Sequence, residues 1–387
     1  MKLLSTAACL LFSATAFAQD IRSYVQANTA RVAPPDATSD DYADLAAVGQ
    51  AIGEARVVML GEQDHGDGPA FQAKTRLVKY LHERKGFAVL AFESDFYGLT
   101  TGWDQLAKQP DSIRHFLQQN IFLNWSNSAD CRSTTRCQAD VSPAAYQAFL
   151  EAVQGLVGQQ LKPAAYRPDM RQTLASGLQL ISQAQLAAGD TSAWQRVVAS
   201  LRAYSVPDRV AAEKARDKAM ADNLTFLLTH QYQNAKVIVW AANQHIMKYS
   251  DQLPSQSKAS RDQSFDLIMR DKMGTYFVQD PQWARQTYVL GFASYQGTAG
   301  RLDTAPYTYP VQAPDKNGLE TWVPASIAYG FLDFTPYNKQ FNYPATPFLL
   351  KSPSHYTVPA RVAPIPWNLV YDGLFFIRDT RATTKSE

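Results

Sequence analysis

The sequence predicts an α/β protein: a central, mostly parallel sheet with helices on both faces, interrupted by a helical insertion lobe. Three observations lead there. Five short runs rich in Val, Ile and Phe are apolar without alternation, as strands covered on both faces are. The first two runs flank a helical stretch, a strand–helix–strand unit whose strands are expected to pair in parallel. Between the second run and the third, the strand pattern gives way to Leu, Ala and Gln at helical spacing.

Taken in order, residues 1–18 read as a secretory signal peptide. Lys2 precedes an apolar run from Leu3 to Phe12, and Ala16-Phe17-Ala18 forms an A-x-A-like cleavage site. The run is too short for a membrane span, which needs roughly 20 apolar residues, and no later run approaches that length. The expectation is a periplasmic or secreted protein, cleaved near Ala18 and without a membrane span. Residues 19–95 form the first part of the core: a strand over Arg56–Leu60, a helix over Ala70–Arg84 closed by Gly86, and a strand over Phe87–Phe92. Residues 96–235 form the helical lobe, with helices over Gln172–Ala187, Ala193–Tyr204 and Asp208–Thr229. Within it Cys131 and Cys137, separated by five residues, read as a local disulfide in an oxidising compartment. Residues 236–387 complete the core, with strands over Lys236–Trp240, Thr287–Phe292 and Leu374–Ile377. A Pro- and Tyr-rich excursion at 298–366 precedes the last strand. The formal charge is +2 with no basic block, so a nucleic-acid partner is not expected and a small or neutral ligand is. Oligomeric state leaves no trace in the sequence.

Polar residues collect at one end of four of these strands. Gly61-Glu62-Gln63-Asp64-His65-Gly66 follows the first, Glu93-Ser94-Asp95 the second, Asn243-Gln244-His245 the third and Ser294-Tyr295-Gln296 the fourth. Ligands of open parallel sheets bind at the carboxyl ends of the strands, which nominates His65, Glu62, Glu93 and His245. Each of them alone could as well cap a strand or a helix.

The helix after the first turn carries an apolar stripe of Phe71, Leu77, Val78 and Leu81, with Lys74 at its centre and Arg76 on the opposite side. A buried ammonium needs a carboxylate, and Glu62 and Glu93 are the candidates; otherwise Lys74 snorkels to water. Replacement of Arg76 is expected to do little. On the helix over Asp208–Thr229, Glu213, Arg216 and Asp217 share the apolar face of Met220, Leu224 and Leu227, which suits a helix lining a polar cleft or an internal ion pair equally well.

These motifs resemble the erythromycin esterase family: Gly61-Glu62-x-x-His65-Gly66, Gly86-Phe87 leading to Phe92-Glu93, Arg216-Asp217-x-x-Met220-Ala221-x-Asn223, Val239-Trp240-Ala241-x-Asn243-x-His245, Gly291-Phe292 and Tyr371-Asp372-Gly373-Leu374. The resemblance implies an α/β core with a helical lobe and a His that activates water for hydrolysis of an ester or lactone. His65 would be that base, Glu62 and Glu93 would orient it, and His245 would assist. Lys74, Arg216, Asn243 and Tyr97 are the candidate substrate contacts. The family pattern has Arg where Lys74 stands and a second His where Ala242 stands, so the substrate is expected to differ from a macrolide. The likeness to antibiotic-resistance enzymes is one of pattern only. More distantly, Tiki-type metalloproteases and haem-binding lipoproteins share a GxxH-like turn. No Gly-x-Ser-x-Gly elbow and no His-Glu-x-x-His motif occurs. What remains is metal-free catalysis with no cofactor, the favoured reading, or a divalent metal held by Glu62, His65, Glu93 and His245. A haem- or ligand-binding protein is the nonenzymatic alternative.

Overall fold

Four buried residues, Val57, Val58, Met59 and Leu60, make the strand on which the architecture turns. Their side chains alternate between two cores. Val57 and Met59 pack with Val237, Val239, Val289, Leu224 and Leu228, whereas Val58 and Leu60 pack with Ala73, Leu77, Leu81, Ile238 and Leu290. A slip of one residue would exchange the two faces. Each such side chain contributes about 1.5–3 kcal/mol by burial, so the register is strongly held.

The computed structural model describes residues 21–36, 39–122, 179, 193–204, 206, 208–253, 269–302, 307–351 and 364–385. Its strands are β1 (Ala30–Val32), β2 (Val57–Leu60), β3 (Phe87–Phe92), β4 (Lys236–Trp240), β5 (Thr287–Arg301), β6 (Tyr307–Pro310), β7 (Tyr329–Asp333) and β8 (Gly373–Thr380). They are ordered β1-β7-β8-β5-β2-β4-β3, with β6 paired to β5 off this path. β3, β4, β2, β5 and β8 pair in parallel, while β7 joins β8, and β1 joins β7, antiparallel. Leu60 stands level with Trp240 on one side and Leu290 on the other, so the carboxyl ends of β2 and β4 lie side by side, while β5 runs on past them to Arg301.

The helices that matter here are α1 (Ala46–Ile52), α2 (Gly68–Lys85), α3 (Pro110–Asn120), α4 (Ala193–Tyr204), α5 (Arg209–Phe226) and α6 (Asn243–Ile246). The start of α2 is set by Asp67, whose side chain accepts the Ala70 N–H, and by Pro69 in the first turn; Gly86 ends it in the left-handed conformation at φ 74°. The chain divides into two compact units. One comprises Met1–Glu93, Ile121–Thr134 and Met220–Glu387 and holds all eight strands; the other comprises Ser94–Asn120 and Thr135–Ala219, and its described regular elements, including α3, α4 and most of α5, are helical. Among the described residues no helix is long and apolar enough to cross a membrane.

The fold is α/β with a mostly parallel sheet, as expected, but the excursion at 298–366 is more regular than its composition suggests. β6 and β7 lie within it, and β1 and β7 extend the sheet at one edge. Residues 1–18, the pair Cys131 and Cys137, and all but Gln179 of the predicted helix over 172–187 lie outside the described residues.

Arg76 requires a correction. It does point away from the Lys74 side of α2, yet it is 4 % exposed, because residues 41–44 cover it. Its guanidinium donates to both oxygens of Asp44, at 2.6 and 2.8 Å, and to the Asp41 carbonyl. Burial pushes the Asp44 carboxyl up, but the Arg76 hydrogen bond and charge outweigh it and hold the group below its ordinary value. Arg76→Ala should therefore lower the unfolding free energy by about 2 kcal/mol at neutral pH, measured in urea. The folded carboxyl titrates below the unfolded one. The deficit should thus be complete above about pH 4 and fade as the pH falls through the folded value.

Candidate active site at the carboxyl ends of the parallel strands

At the end of β2 backbone hydrogen bonds continue for a residue or two before side chains take over the bonding. Asn243 N–H donates to the Glu62 carbonyl (2.8 Å), Ala241 N–H to Leu60 (3.1 Å) and Glu93 N–H to Trp240 (3.0 Å). The ends of β2, β4 and β3 are thus tied into one row. Asn243 is fully buried, and its amide donates to the Phe292 carbonyl (2.7 Å) and accepts the Phe292 N–H (3.0 Å), bridging to β5. A Cβ on Gly61 would overlap that amide oxygen, which is a reason for glycine there. The side chain of Asn243, a candidate substrate contact, thus helps to hold the turn.

The rest of the turn is anchored in the same way. The Gln63 amide donates to the Lys351 carbonyl and accepts the Ser294 N–H at 2.6 Å. Asp67, besides capping α2, accepts the hydroxyls of Ser294 and Thr380. Lys351 N–H in turn donates to Glu320 (2.6 Å). Burial pushes the Glu320 carboxyl up, and burial also pushes the Lys351 ammonium down to about 8.

Held in this frame, Glu62 is fully buried between two partners. One oxygen faces His65 Nδ1 at 3.0 Å, and the other accepts from Lys74 Nζ. Lys74 also donates to the Ala241 carbonyl (3.2 Å) and sits 4.3 Å from the centre of the Trp240 ring. It too is fully buried. Of the two carboxylates open to it in the sequence, Lys74 meets Glu62. The structure thus places Lys74, a candidate substrate contact, buried against Glu62. An ionised carboxylate without a partner at this depth would cost several kcal/mol, and the ammonium offsets that cost. Because a carboxylate accepts, the His65 Nδ1 carries the proton and the basic lone pair is on Nε2. His65 is 16 % exposed and has the Phe122 ring edge-on at 5.0 Å.

A second pair lies at the ends of the adjoining strands. Glu93 accepts from His245 Nε2 at 3.0 Å through one oxygen and from Ala242 N–H at 3.1 Å through the other. Both side chains are nearly covered. Tyr97 and Arg216 belong to the other unit, where Tyr97 stacks on Trp194 at 5.2 Å. Sequence reasoning did not single out Arg301, which reaches Asp64 beside His65.

Among the described residues no three His, Cys, Asp or Glu side chains gather as a cation-holding group, and both Glu62 oxygens are engaged. The two pairs are built to hold imidazole rings in one tautomer and orientation. If Lys74 is the counter-charge of Glu62, Lys74→Met should lower the unfolding free energy by about 3–5 kcal/mol. The double variant Lys74→Met/Glu62→Gln should recover most of that loss in the same urea titration, since no unpaired charge then remains buried.

Comparison with known proteins agrees with this architecture. The sequence profile of the erythromycin esterase family matches residues 111–380, more than half of the chain; the Glu62–His65 turn precedes the matched segment, and Glu93 does too. The putative hydrolase YbfO of Bacillus subtilis is 36% identical over 118 residues, a match covering 30% of this chain and 25% of that protein. Among solved structures, a Bacillus cereus protein superposes with a TM-score of 0.66 at 16% identity, over 96% of this chain and 99% of the other. A succinoglycan biosynthesis protein gives 0.63 at 16%, over 94% and 98%. A His-to-Asn mutant of the erythromycin esterase EreC in its open conformation gives 0.62 at 13%, over 93% and 98%. At these identities the superpositions speak for the fold alone, but with the profile match over residues 111–380 they leave one conclusion: the chain belongs to the erythromycin esterase family, a family of hydrolases.

Proposed function

We propose that this chain hydrolyses a carboxylic ester or lactone of a small molecule with water activated by His65, and without a metal or other cofactor. The observation that carries the proposal is the hydrogen-bonded series Lys74, Glu62, His65, whose last member is the one that reaches solvent. Glu62 fixes the Nδ1–H tautomer, so Nε2 is the nitrogen that can take a proton from water as its oxygen attacks the carbonyl carbon. The imidazolium that forms is stabilised by the Glu62 carboxylate. Collapse of the tetrahedral intermediate breaks the bond to the alkoxide, which takes the proton back from Nε2, and the products are one acid and one alcohol. In a lactone both groups stay in one molecule. His245, oriented by Glu93, is the candidate for contact with the substrate carbonyl.

The reading includes export, on the strength of the Lys2 to Ala18 pattern, with action in the periplasm or outside the cell. It takes from the family a small-molecule substrate. A macrolide is not assumed, because Ala242 and Lys74 depart from the family pattern.

The test is hydrolysis of a panel of 4-nitrophenyl esters and lactones by the mature protein, with and without chelator. His65→Ala should lower kcat by about 10²–10⁴ and leave Tm within a few degrees. Unaltered turnover in that variant would overturn the assignment of the base. Activity lost to chelator and restored by zinc, cobalt or manganese would overturn the metal-free mechanism.

A further inference from the structure

Gln63, two residues before His65, is held from two sides, and the two sides are themselves joined. Its amide oxygen accepts the Ser294 N–H at 2.6 Å, and its amide nitrogen donates to the Lys351 carbonyl. The side chain of that same lysine runs back to β5, where Nζ donates to the carbonyl of Tyr295, the neighbour of Ser294, at 3.0 Å. Gln63, Lys351 and the Ser294–Tyr295 step therefore close a hydrogen-bonded ring. Gln63, Ser294 and Lys351 are all buried, so water does not compete for the bonds.

Lys351 is the charged member of the ring and has no part in the mechanism above. Its ammonium donates also to the Gln312 carbonyl at 2.6 Å. The charged groups that act on it are Glu320, from the short helix Leu319–Trp322, and Asp67, at the start of α2. Glu320 accepts the Lys351 N–H through Oε1, while its Oε2 is buried and has no hydrogen-bond partner among the described residues. Asp67 is occupied by the Ala70 N–H and the hydroxyls of Ser294 and Thr380. The printed partners of Nζ are thus carbonyls, and burial pushes the ammonium down to about 8 against the pull of both carboxylates. A neutral amine in the same place keeps two N–H donors but not the charge, and a charge-assisted bond is roughly twice as strong as a neutral one. The ring is tight when Lys351 is charged and slack when it is not.

We propose that Lys351 is a positioning residue for His65: its ammonium closes the ring through which Gln63 fixes the catalytic turn, and loss of the charge lets the turn drift from its productive geometry. The inference rests on the hydrolase reading of the His65 site. A base that must align one water with one carbonyl is sensitive to small displacements, since a misplacement of about 1 Å can lower the rate about 10²-fold. A network with an architectural role alone would alter stability when cut and leave the pH dependence of turnover untouched.

The experiment measures kcat and KM of the full-length mature protein on a 4-nitrophenyl ester across the neutral and alkaline range. His65 acting alone as base gives a plateau on the alkaline side. Lys351 is charged below about pH 8 and neutral above it, so kcat should instead fall near that pH, with KM little changed. Glu320→Gln keeps the size of the side chain and an acceptor for the Lys351 N–H but removes a charge that favours the ammonium, so the fall should move to lower pH. Lys351→Met, which has no donor at any pH, should lower kcat at neutral pH about tenfold and abolish the alkaline fall. The Glu320→Gln profile keeps the test decisive if Lys351→Met does not fold. An alkaline plateau in the wild type, or a fall that stays in place in Glu320→Gln, overturns the proposal and leaves the hydrolase reading standing. Turnover of no ester by the wild type counts against the hydrolase reading, and the His65 ring-proton resonances, identified by their loss in His65→Ala, then judge Lys351 by themselves. They should show a step in the alkaline range that moves to lower pH in Glu320→Gln. Absence of that step, or a step that does not move, overturns the role.

Discussion

One carboxylate, that of Glu62, sets the terms for the rest of the site. It is fully buried, and an ion at that depth is tolerated only with a compensating charge and satisfied oxygens. Lys74 supplies the charge from the centre of an otherwise apolar helical stripe, at a cost of its own that the Ala241 carbonyl and the Trp240 ring help to offset. The outcome is a nearly neutral pair behind a polarised hydrogen bond to His65. Any change that moved α2 relative to the end of β2 would separate the ions, so the packing of Ala73, Leu77 and Leu81 on Val58 and Leu60 serves the chemistry as well as the core.

The same constraint explains why amides and an acid stand where the strands end. Parallel strands diverge beyond their last pairing, leaving backbone N–H and C=O groups that must find partners. Asn243 behaves as a piece of backbone between β4 and β5, Gln63 as one between β5 and the segment at Lys351, and Asp67 joins Ser294, Thr380 and the first turn of α2. Each is neutral or fully bonded where it is buried, which lowers the cost of placing polar atoms there. Positional rigidity follows, and on the proposed reading of His65 as a base the alignment of water and carbonyl depends on it.

How much of this was legible in the sequence depended on distance along the chain. β2, β3 and β4 are continuous apolar runs, and their limits differ from expectation by at most one residue. Glu62, Glu93 and His245 were placed at strand ends by the same pattern. The periodicity of α2 located Lys74 inside, but the choice of Glu62 over Glu93 depends on how far the helix is turned and how close it lies to the sheet, which no spacing encodes. β1 and β7 escaped notice because they are three and five residues long and are stabilised by partners far away in the chain. Arg76 shows the converse limit: its direction followed from the helical wheel, while its burial comes from residues some thirty positions earlier. β5 was cut short at Phe292 because Ser294 to Arg301 is polar and rich in glycine, and with that cut went the path by which Arg301 arrives beside Asp64.

The two departures from the family pattern can now be weighed by what they touch. Ala242 contributes its backbone N–H to Glu93, a bond that any side chain at that position would leave available, so the Glu93–His245 pair does not depend on the histidine that is missing. What changes is the number of imidazoles at the strand end and the room around them. Lys74 occupies a site with one carboxylate oxygen, one carbonyl and one aromatic face. An ammonium satisfies that set with three donors, where a guanidinium would bring five. Both departures therefore leave the support of His65 in place and alter its surroundings. The support of His65 lies in buried groups behind the turn, Glu62 and Lys74, and neither departure removes it.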